Sequence, residues 1–327
     1  MRAIRQYEPG APETLRYEDV PDPTPVAEQV VVAVEAAGVH VIDTSIRRGD
    51  PAQLPFPPPA LPMTPGREVS GRVVRLGPGV DPSWLHRRVV AHLGMASGGY
   101  AEQSVVAVTS LHAVPDHVPA AVVVAMIGTG RTAVAVLDRA AMTPADVVLV
   151  TAAAGGLGNL FVQSALEIGA AVVGPAGGPA KVTQVVRLGA QIAVDSRAPD
   201  WPDQVRAALD GRSVSLVLDG VGGPDGRAAF DLLGSGGRHL IYGWSAGTPT
   251  AIASADIVGR GLSVMSLLGP SMINRPGGMR ELETEALARA AEGRWTPLVH
   301  EFPLADAAGA HRAIESRATI GKVVLVP

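Results

Sequence analysis

The chain has 327 residues, enough for two lobes that each bury a core. Hydrophobic residues make up 47% and charged residues 18%, a balance that excludes a disordered chain. The net charge of −4 leaves no basic excess to neutralise nucleic-acid phosphates, and the absence of cysteine excludes disulfides, a thiolate nucleophile and any cysteine-ligated zinc or iron–sulfur site.

No uninterrupted apolar run approaches the ~18 residues of a membrane span. Met1-Arg-Ala-Ile-Arg-Gln-Tyr-Glu8 lacks the apolar centre of a signal peptide. A cytoplasmic protein with no membrane contact is the expectation. The first third reads as mostly β, with strands at 30–38, 70–77, 88–91 and 100–107 between Pro and Gly punctuation. Residues 50–65 carry seven prolines and form a loop. His40 and Asp43 fall on the turn after the first of these strands.

The pattern changes at Ala120. Residues 120–138 read as an Ala- and Val-rich helix, interrupted near Gly128 and Gly130. Strands at 147–151, 171–174, 191–195, 214–219, 239–243 and 262–268 then alternate with helices. Short apolar strands separated by helices indicate a doubly wound parallel sheet. An amphipathic helix at 279–293, strands at 299–302 and 322–326, and a helix at 305–316 return the chain to the β-rich lobe. The fold class is thus α/β. Residues 1–122 with 267–327 form one domain, and residues 123–266 are inserted as the second.

The most informative segment is Val147-Val-Leu-Val-Thr-Ala-Ala-Ala-Gly-Gly-Leu-Gly158. A buried strand, a glycine turn and a helix start supply what a pyrophosphate needs: a tight bend, close backbone approach and free N–H groups. Ala154, Gly155, Gly156, Leu157 and Gly158 are the candidate contacts. An NAD enzyme places Asp or Glu about 20 residues further on, for the ribose hydroxyls. None occurs between Gly169 and Val194. Lys181 follows Gly177, with Arg187 nearby, and a cation without a carboxylate favours a 2′-phosphate and hence NADPH. Val221, Tyr242, Gly243 and Trp244 follow the fourth and fifth strands, where ligands bind in open sheets. Leu267, Leu268 and Gly269 follow the sixth and are candidate nicotinamide contacts.

Several segments together resemble the medium-chain dehydrogenase/reductase superfamily, in its zinc-free quinone oxidoreductase group. They are Gly38-Val-His-Val-Ile-Asp-Thr44 with Arg47-Arg-Gly49, Pro65-Gly-Arg-Glu-Val-Ser-Gly71, Gly99-Tyr-Ala-Glu102, the glycine turn, Leu216-Val-Leu-Asp-Gly-Val-Gly222 and Glu315-Ser-Arg-Ala-Thr-Ile-Gly-Lys322. The resemblance covers nearly the whole chain. It implies a GroES-like β-rich catalytic domain, an inserted Rossmann domain, NADPH as cofactor and a homodimer paired through Rossmann strands. It also implies that Thr132 lies near the nicotinamide, and that Lys181, Ser196 and Arg317 serve the cofactor phosphate, with Lys322 a further contact. The group often has Tyr near the position of Ser196.

Zinc-dependent relatives carry Gly-His-Glu where this chain has Gly66-Arg67-Glu68. With Arg67 there and no cysteine, no metal is expected. Alcohol oxidation is then poorly served. Hydride addition to a quinone or an α,β-unsaturated carbonyl fits better, because the substrate's own carbonyl spreads the charge. His40 can donate to such a carbonyl or be a hydrogen-bonded structural residue, and Asp43 can act with it or hold the loop backbone. The rival readings are an enoyl thioester reductase of a biosynthetic pathway and a non-catalytic, crystallin-like NADPH-binding protein.

Overall fold

The computed structural model describes residues 1–49, 56–57, 59–94, 97–266 and 277–327. Leu267, Leu268 and Gly269, and much of the proline-rich segment, lie outside the described residues. The chain divides into two compact units, one of residues 1–129 with 286–327 and one of residues 130–285. The sequence pattern had set the seams at 122/123 and 266/267.

The first unit is built on a mixed sheet. Its strands lie in the order Val299–Pro303, Lys322–Val326, Gln29–Val39, Glu68–Leu76, Arg88–His92 and Leu111–Ala113, with Gln103–Ala107 also pairing Gln29–Val39. Valines alternate through these strands, and Val30, Val32, Val34, Val73, Val89 and Val106 meet Tyr100, Leu111 and Leu325 in its core. An N-terminal hairpin of Arg2–Gln6 and Leu15–Asp19, not foreseen from the sequence, adds Ile4 and Leu15 to that core.

The sheet register sets the chemistry of this unit. The last strand runs antiparallel to Gln29–Val39 with Val323 opposite Val39. Glu68–Leu76 flanks the other side with Val69 opposite Ala37. The residues just beyond these pairs, Lys322, His40 and Glu68, therefore come to one end of three neighbouring strands.

The turn expected at His40 and Asp43 is instead the start of a helix, Val41–Arg48, with His40 as its N-cap. Asp43 Oδ2 accepts from the His40 N–H at 2.8 Å, which satisfies a donor that a helix start leaves open. Gly49 ends the helix in the left-handed conformation, with φ +70°.

In the second unit six parallel strands stand in the order Ile192–Asp195, Ala171–Ala176, Val147–Val150, Val214–Asp219, Leu233–Ile241 and Ser263–Ser266. Numbered along the chain this is 3-2-1-4-5-6, the doubly wound order. Leu149, Val173, Val217, Val205 and Phe230 form a core on one face. All the turns that follow these strands lie along one edge, because the strands are parallel.

Residues 120–140 form one helical stretch: Ala120–Ala125, a π-turn over Met126–Gly130, then Arg131–Ala140. The interruption expected at Gly128 and Gly130 is this π-turn. By length and composition the stretch is apolar enough for a membrane span, which the sequence reading did not flag. With 67% of its apolar window buried inside the protein, it packs as a core helix.

Candidate active site

Glu68 is fully buried at the end of its strand. Two glycines make room for its carboxylate. A Cβ at Gly38, on the neighbouring strand, or at Gly128, in the π-turn, would overlap its oxygens. His40 Nε2 lies 2.6 Å from Oε1 and Lys322 Nζ lies 2.9 Å from Oε2. Both carboxylate oxygens sit off the line of a straight hydrogen bond, so charge holds them. Burial alone would raise the Glu68 pKa. The attraction of His40 and Lys322 prevails and holds the carboxyl well below its usual range. Lys322, the expected further cofactor contact, is seated here with 4% of its side chain exposed, and its Nζ meets His40 Nε2 at 3.0 Å. The His40 side chain keeps 23% exposure.

Asp43 faces a second buried group. Tyr100 OH donates to its Oδ2 at 3.2 Å, and Arg67 Nε lies 3.6 Å from its Oδ1. Burial, then the nearby Asp43 charge, push the Tyr100 phenol well above its usual pKa, so it remains a donor. Its oxygen also lies 3.3 Å from His311 Nε2. Burial lowers the pKa of His311 to about 4, against the opposing pull of Asp43, and the ring is neutral at pH 7. Asp43 thus caps the helix start and anchors this group. The helix is further tied by Arg47, 2% exposed, whose Nη2 donates to Glu315 at 2.6 Å.

The second unit carries the glycine turn expected to hold a nucleotide. Gly155 caps the helix Gly156–Ile168, and its N–H donates to the Ala152 carbonyl at 2.8 Å. Gly158 must be glycine, since a Cβ there would overlap the Ala152 carbonyl oxygen. The N–H groups of Gly156, Leu157 and Gly158 open the helix and have no partner within it. Ala154 is buried beneath the turn.

One strand over, the chain passes through Gly177 and Gly178, the latter at φ +97°, into the helix Pro179–Arg187 that carries Lys181 in its first turn. Arg187 falls in the last turn of that helix, at its far end. The neighbouring strand ends at Asp195, whose Oδ1 accepts from the N–H groups of Gly178 at 2.7 Å and Arg197 at 3.0 Å. Ser196 donates its N–H to the Ala176 carbonyl at 3.0 Å. The Arg197 guanidinium lies beside Gly177 and Gly178 and makes no hydrogen bond or ion pair among the described residues. Arg197 was missed in the sequence. Its signal was position: a basic residue just after the third strand of a doubly wound sheet.

Asp219 organises the turn after the fourth strand. It accepts from the N–H groups of Val221 and Gly222 at 2.9 and 3.1 Å, from Thr151 at 3.2 Å and from Thr250 at 2.6 Å. Burial would raise its pKa, yet hydrogen bonds from His239, Thr250, Gly222 and Val221 lower it to about 2. Tyr242 packs edge-on against Phe161 at 5.1 Å, and its ring closes over Gly220. Gly243 follows, and Trp244, 44% exposed, lies against Gly222. Thr132 stands on the helix Arg131–Ala140 of the same unit. Arg317 belongs to the first unit, at φ +55° and exposed.

Residues 26–116 match the family described as the alcohol dehydrogenase GroES-like domain, and residues 188–325 the family described as zinc-binding dehydrogenase. A quinone oxidoreductase of Sus scrofa is 30% identical over 331 residues, covering 100% of this chain and 98% of its own. A 2-haloacrylate reductase of Burkholderia sp. is 28% identical, covering 98% of this chain and 97% of its own. The crystal structure of Escherichia coli quinone oxidoreductase complexed with NADPH matches with a TM-score of 0.86 at 28% identity, covering 100% of both chains. The zinc in the second family's description does not fit the residues present. There is no cysteine, and among the described residues no group of His, Asp and Glu is placed to hold a metal ion. The chain belongs to the quinone oxidoreductase group of the medium-chain dehydrogenase/reductase superfamily.

Proposed function

We propose that the chain uses NADPH to reduce a quinone or a small α,β-unsaturated carbonyl without a metal ion. The observation that carries this reading is the glycine turn at 155–158 in a 3-2-1-4-5-6 sheet, with Arg197 beside Gly177–Gly178, Lys181 in the first turn of the helix that follows, and the nearby Asp195 carboxylate taken up by the Gly178 and Arg197 N–H groups. When bound, NADPH supplies the hydride equivalent that reduces the substrate.

The chain's own residues bind and orient. Backbone N–H groups of Gly156, Leu157 and Gly158 hold the pyrophosphate at the helix start. Arg197, Lys181 and Ser196 recognise the 2′-phosphate, Arg197 in a planar, two-pronged way that lysine cannot match. Val221, Tyr242, Gly243 and Trp244 wall the cofactor along the same sheet edge. Thr132 and Arg317 remain proposed contacts on the strength of the family pattern.

His40 serves the substrate. Its ring is held from behind by Glu68 and Lys322 and stays partly open. It donates a proton to the oxygen or α-carbon that becomes electron-rich on reduction. Asp43 fixes the His40 backbone and does not exchange protons with substrate. The relatives named for quinones and for 2-haloacrylate both support an electrophile that carries its own electron sink.

Steady-state assays with NADPH and NADH, against para-benzoquinone, methyl vinyl ketone and crotonyl thioesters, test the reading. Turnover of the enone or quinone with NADPH is expected. Turnover confined to the thioester would assign the chain to enoyl thioester reduction, and turnover of none would make it a cofactor-binding protein. We also infer a homodimer through the edge strand Ser263–Ser266, which among the described residues pairs on one side only. Light scattering should give twice the chain mass.

A further inference from the structure

The helix Gly156–Ile168 carries a fully buried asparagine, Asn159, at its start. Asparagine is a poor helix former and a rare core residue, because its amide competes with the backbone for hydrogen bonds. Here that competition falls on the glycine turn. We propose that Asn159 is the positioning residue of the pyrophosphate site, locking and polarising the two peptide groups whose N–H ends meet the cofactor. This rests on the reading of the glycine turn as the place where the pyrophosphate binds.

Both polar atoms of the Asn159 amide are in use. Nδ2 donates to the Gly155 carbonyl at 2.7 Å and to the Gly156 carbonyl at 2.8 Å. Oδ1 accepts from Gln163 Nε2, one helical turn on, at 3.1 Å. Two carbonyl oxygens on one side admit only the NH2 end of the amide, which fixes its orientation. Gln163 holds it from the other side.

The Gly155 carbonyl does not need this side chain for its own satisfaction. It already accepts the ordinary helical bond from the Asn159 N–H at 3.0 Å. The bond from Nδ2 is a second one to the same oxygen and occupies its other lone pair. What it adds is control of the peptide plane. A trans peptide is planar, and its N–H points away from its carbonyl. Holding the Gly155 oxygen toward the helix body directs the Gly156 N–H off the helix start. Holding the Gly156 oxygen does the same for the Leu157 N–H. Both N–H groups belong to the first turn, which leaves them without helical partners. Glycine restrains its own backbone least of all residues, so a clamp from outside is what fixes these two planes.

The same bonds act on charge. A donor on a carbonyl oxygen polarises the whole amide and strengthens its N–H as a donor. An anion at the helix start then meets two N–H groups that are already oriented and polarised, and less ordering is left to be done on binding.

Asn159→Ala removes the amide and puts the best helix former in its place, so helix propensity does not fall. Isothermal titration should show NADPH binding about tenfold weaker. In steady-state assays with methyl vinyl ketone the loss should fall on the KM for NADPH, not on kcat. Adenosine 2′-monophosphate, which has no pyrophosphate, should inhibit the variant and the parent equally. Asn159→Ser is the conservative variant. A helical serine returns its hydroxyl to the carbonyl four residues back, as Ser164 does to Leu160 at 2.9 Å in this same helix. It restores the donor to Gly155 but not the one to Gly156, so its NADPH affinity should lie between those of the parent and of Asn159→Ala.

Asn159→Ala with the parent's NADPH affinity and a lower urea midpoint would overturn the proposal and leave Asn159 a packing residue. Equal losses for NADPH and adenosine 2′-monophosphate would overturn it as well, because the effect would not be tied to the pyrophosphate. If the alanine variant does not fold, Asn159→Ser carries the test through the same comparison of the two ligands. A parent protein that binds NADPH no better than adenosine 2′-monophosphate would overturn the underlying reading of the turn instead, whatever Asn159 does.

Discussion

The ammonium of Lys322 lies 2.9 Å from the carboxylate of Glu68, and neither side chain exceeds 4% exposure. Such a pair adds little over an apolar alternative while both ions are present. Removing one ion strands the other, at about 3–5 kcal/mol. Glu68→Gln should therefore lower unfolding stability by about that amount, and Glu68→Gln/Lys322→Met by clearly less than the sum of the two single changes. Urea unfolding of the four proteins measures this cycle. A double variant that costs the full sum would contradict a coupled pair.

Gly158 tests the cofactor turn. Its position admits no Cβ, because the Ala152 carbonyl oxygen already occupies that space. Gly158→Ala should displace the turn, cost about 1–3 kcal/mol of stability, and weaken NADPH binding more than substrate binding. Isothermal titration with NADPH reads the binding. An alanine enzyme with the parent's NADPH affinity would show that the turn does not carry the pyrophosphate.

Arg197 tests cofactor choice. Its guanidinium makes no side-chain hydrogen bond among the described residues, feels the charge of Asp195, and stands beside Gly177–Gly178. A charge-assisted bond to a phosphate contributes about 1.5–3 kcal/mol. Arg197→Ala should raise the KM for NADPH by about tenfold or more and leave the KM for NADH unchanged. Binding of 2′,5′-ADP should weaken in parallel, with 5′-AMP unaffected. Equal losses for both nucleotides would move the 2′-phosphate away from Arg197.

The sequence carried the parts of this fold that are local. Four apolar residues at 147–150, three glycines and a helical repeat announce a strand, a turn and a helix within a dozen positions. The alternation of strands with helices announced a doubly wound parallel sheet, but its strand order appears only in the structure. The helix Val41–Arg48 was not legible, because its Thr44 and Ser45 are weak helix formers and the cap made by Asp43 shows only in the structure. The place of Lys322 beside His40 was not legible for a different reason. Its partner His40 is 282 residues away, and only the sheet register brings them together. Arg197 escaped because its meaning depends on Gly177–Gly178, which follow the neighbouring strand.

Asp219 sets an acid limit on stability. Its pKa in the folded protein is about 2, against an ordinary 3.8. A folded pKa below the unfolded one stabilises the protein above about pH 4, and that contribution is lost as pH falls towards about 2. The shift corresponds to roughly 2 kcal/mol at neutral pH. Asp219→Asn should be less stable than the parent at about pH 6 and should lose less on acidification to about pH 3. Urea midpoints at the two pH values decide it. Parallel losses in both proteins would mean that Asp219 does not contribute to the acid transition.

The proposed activity is metal-free, NADPH-dependent reduction of an electron-poor double bond or quinone. The most direct measurement follows nicotinamide absorbance with protein dialysed against a strong chelator, using methyl vinyl ketone and para-benzoquinone as acceptors. Oxidation of NADPH should persist undiminished after chelation and outpace that of NADH. Loss of activity on chelation with recovery on adding zinc, or no NADPH oxidation with any acceptor, would contradict it.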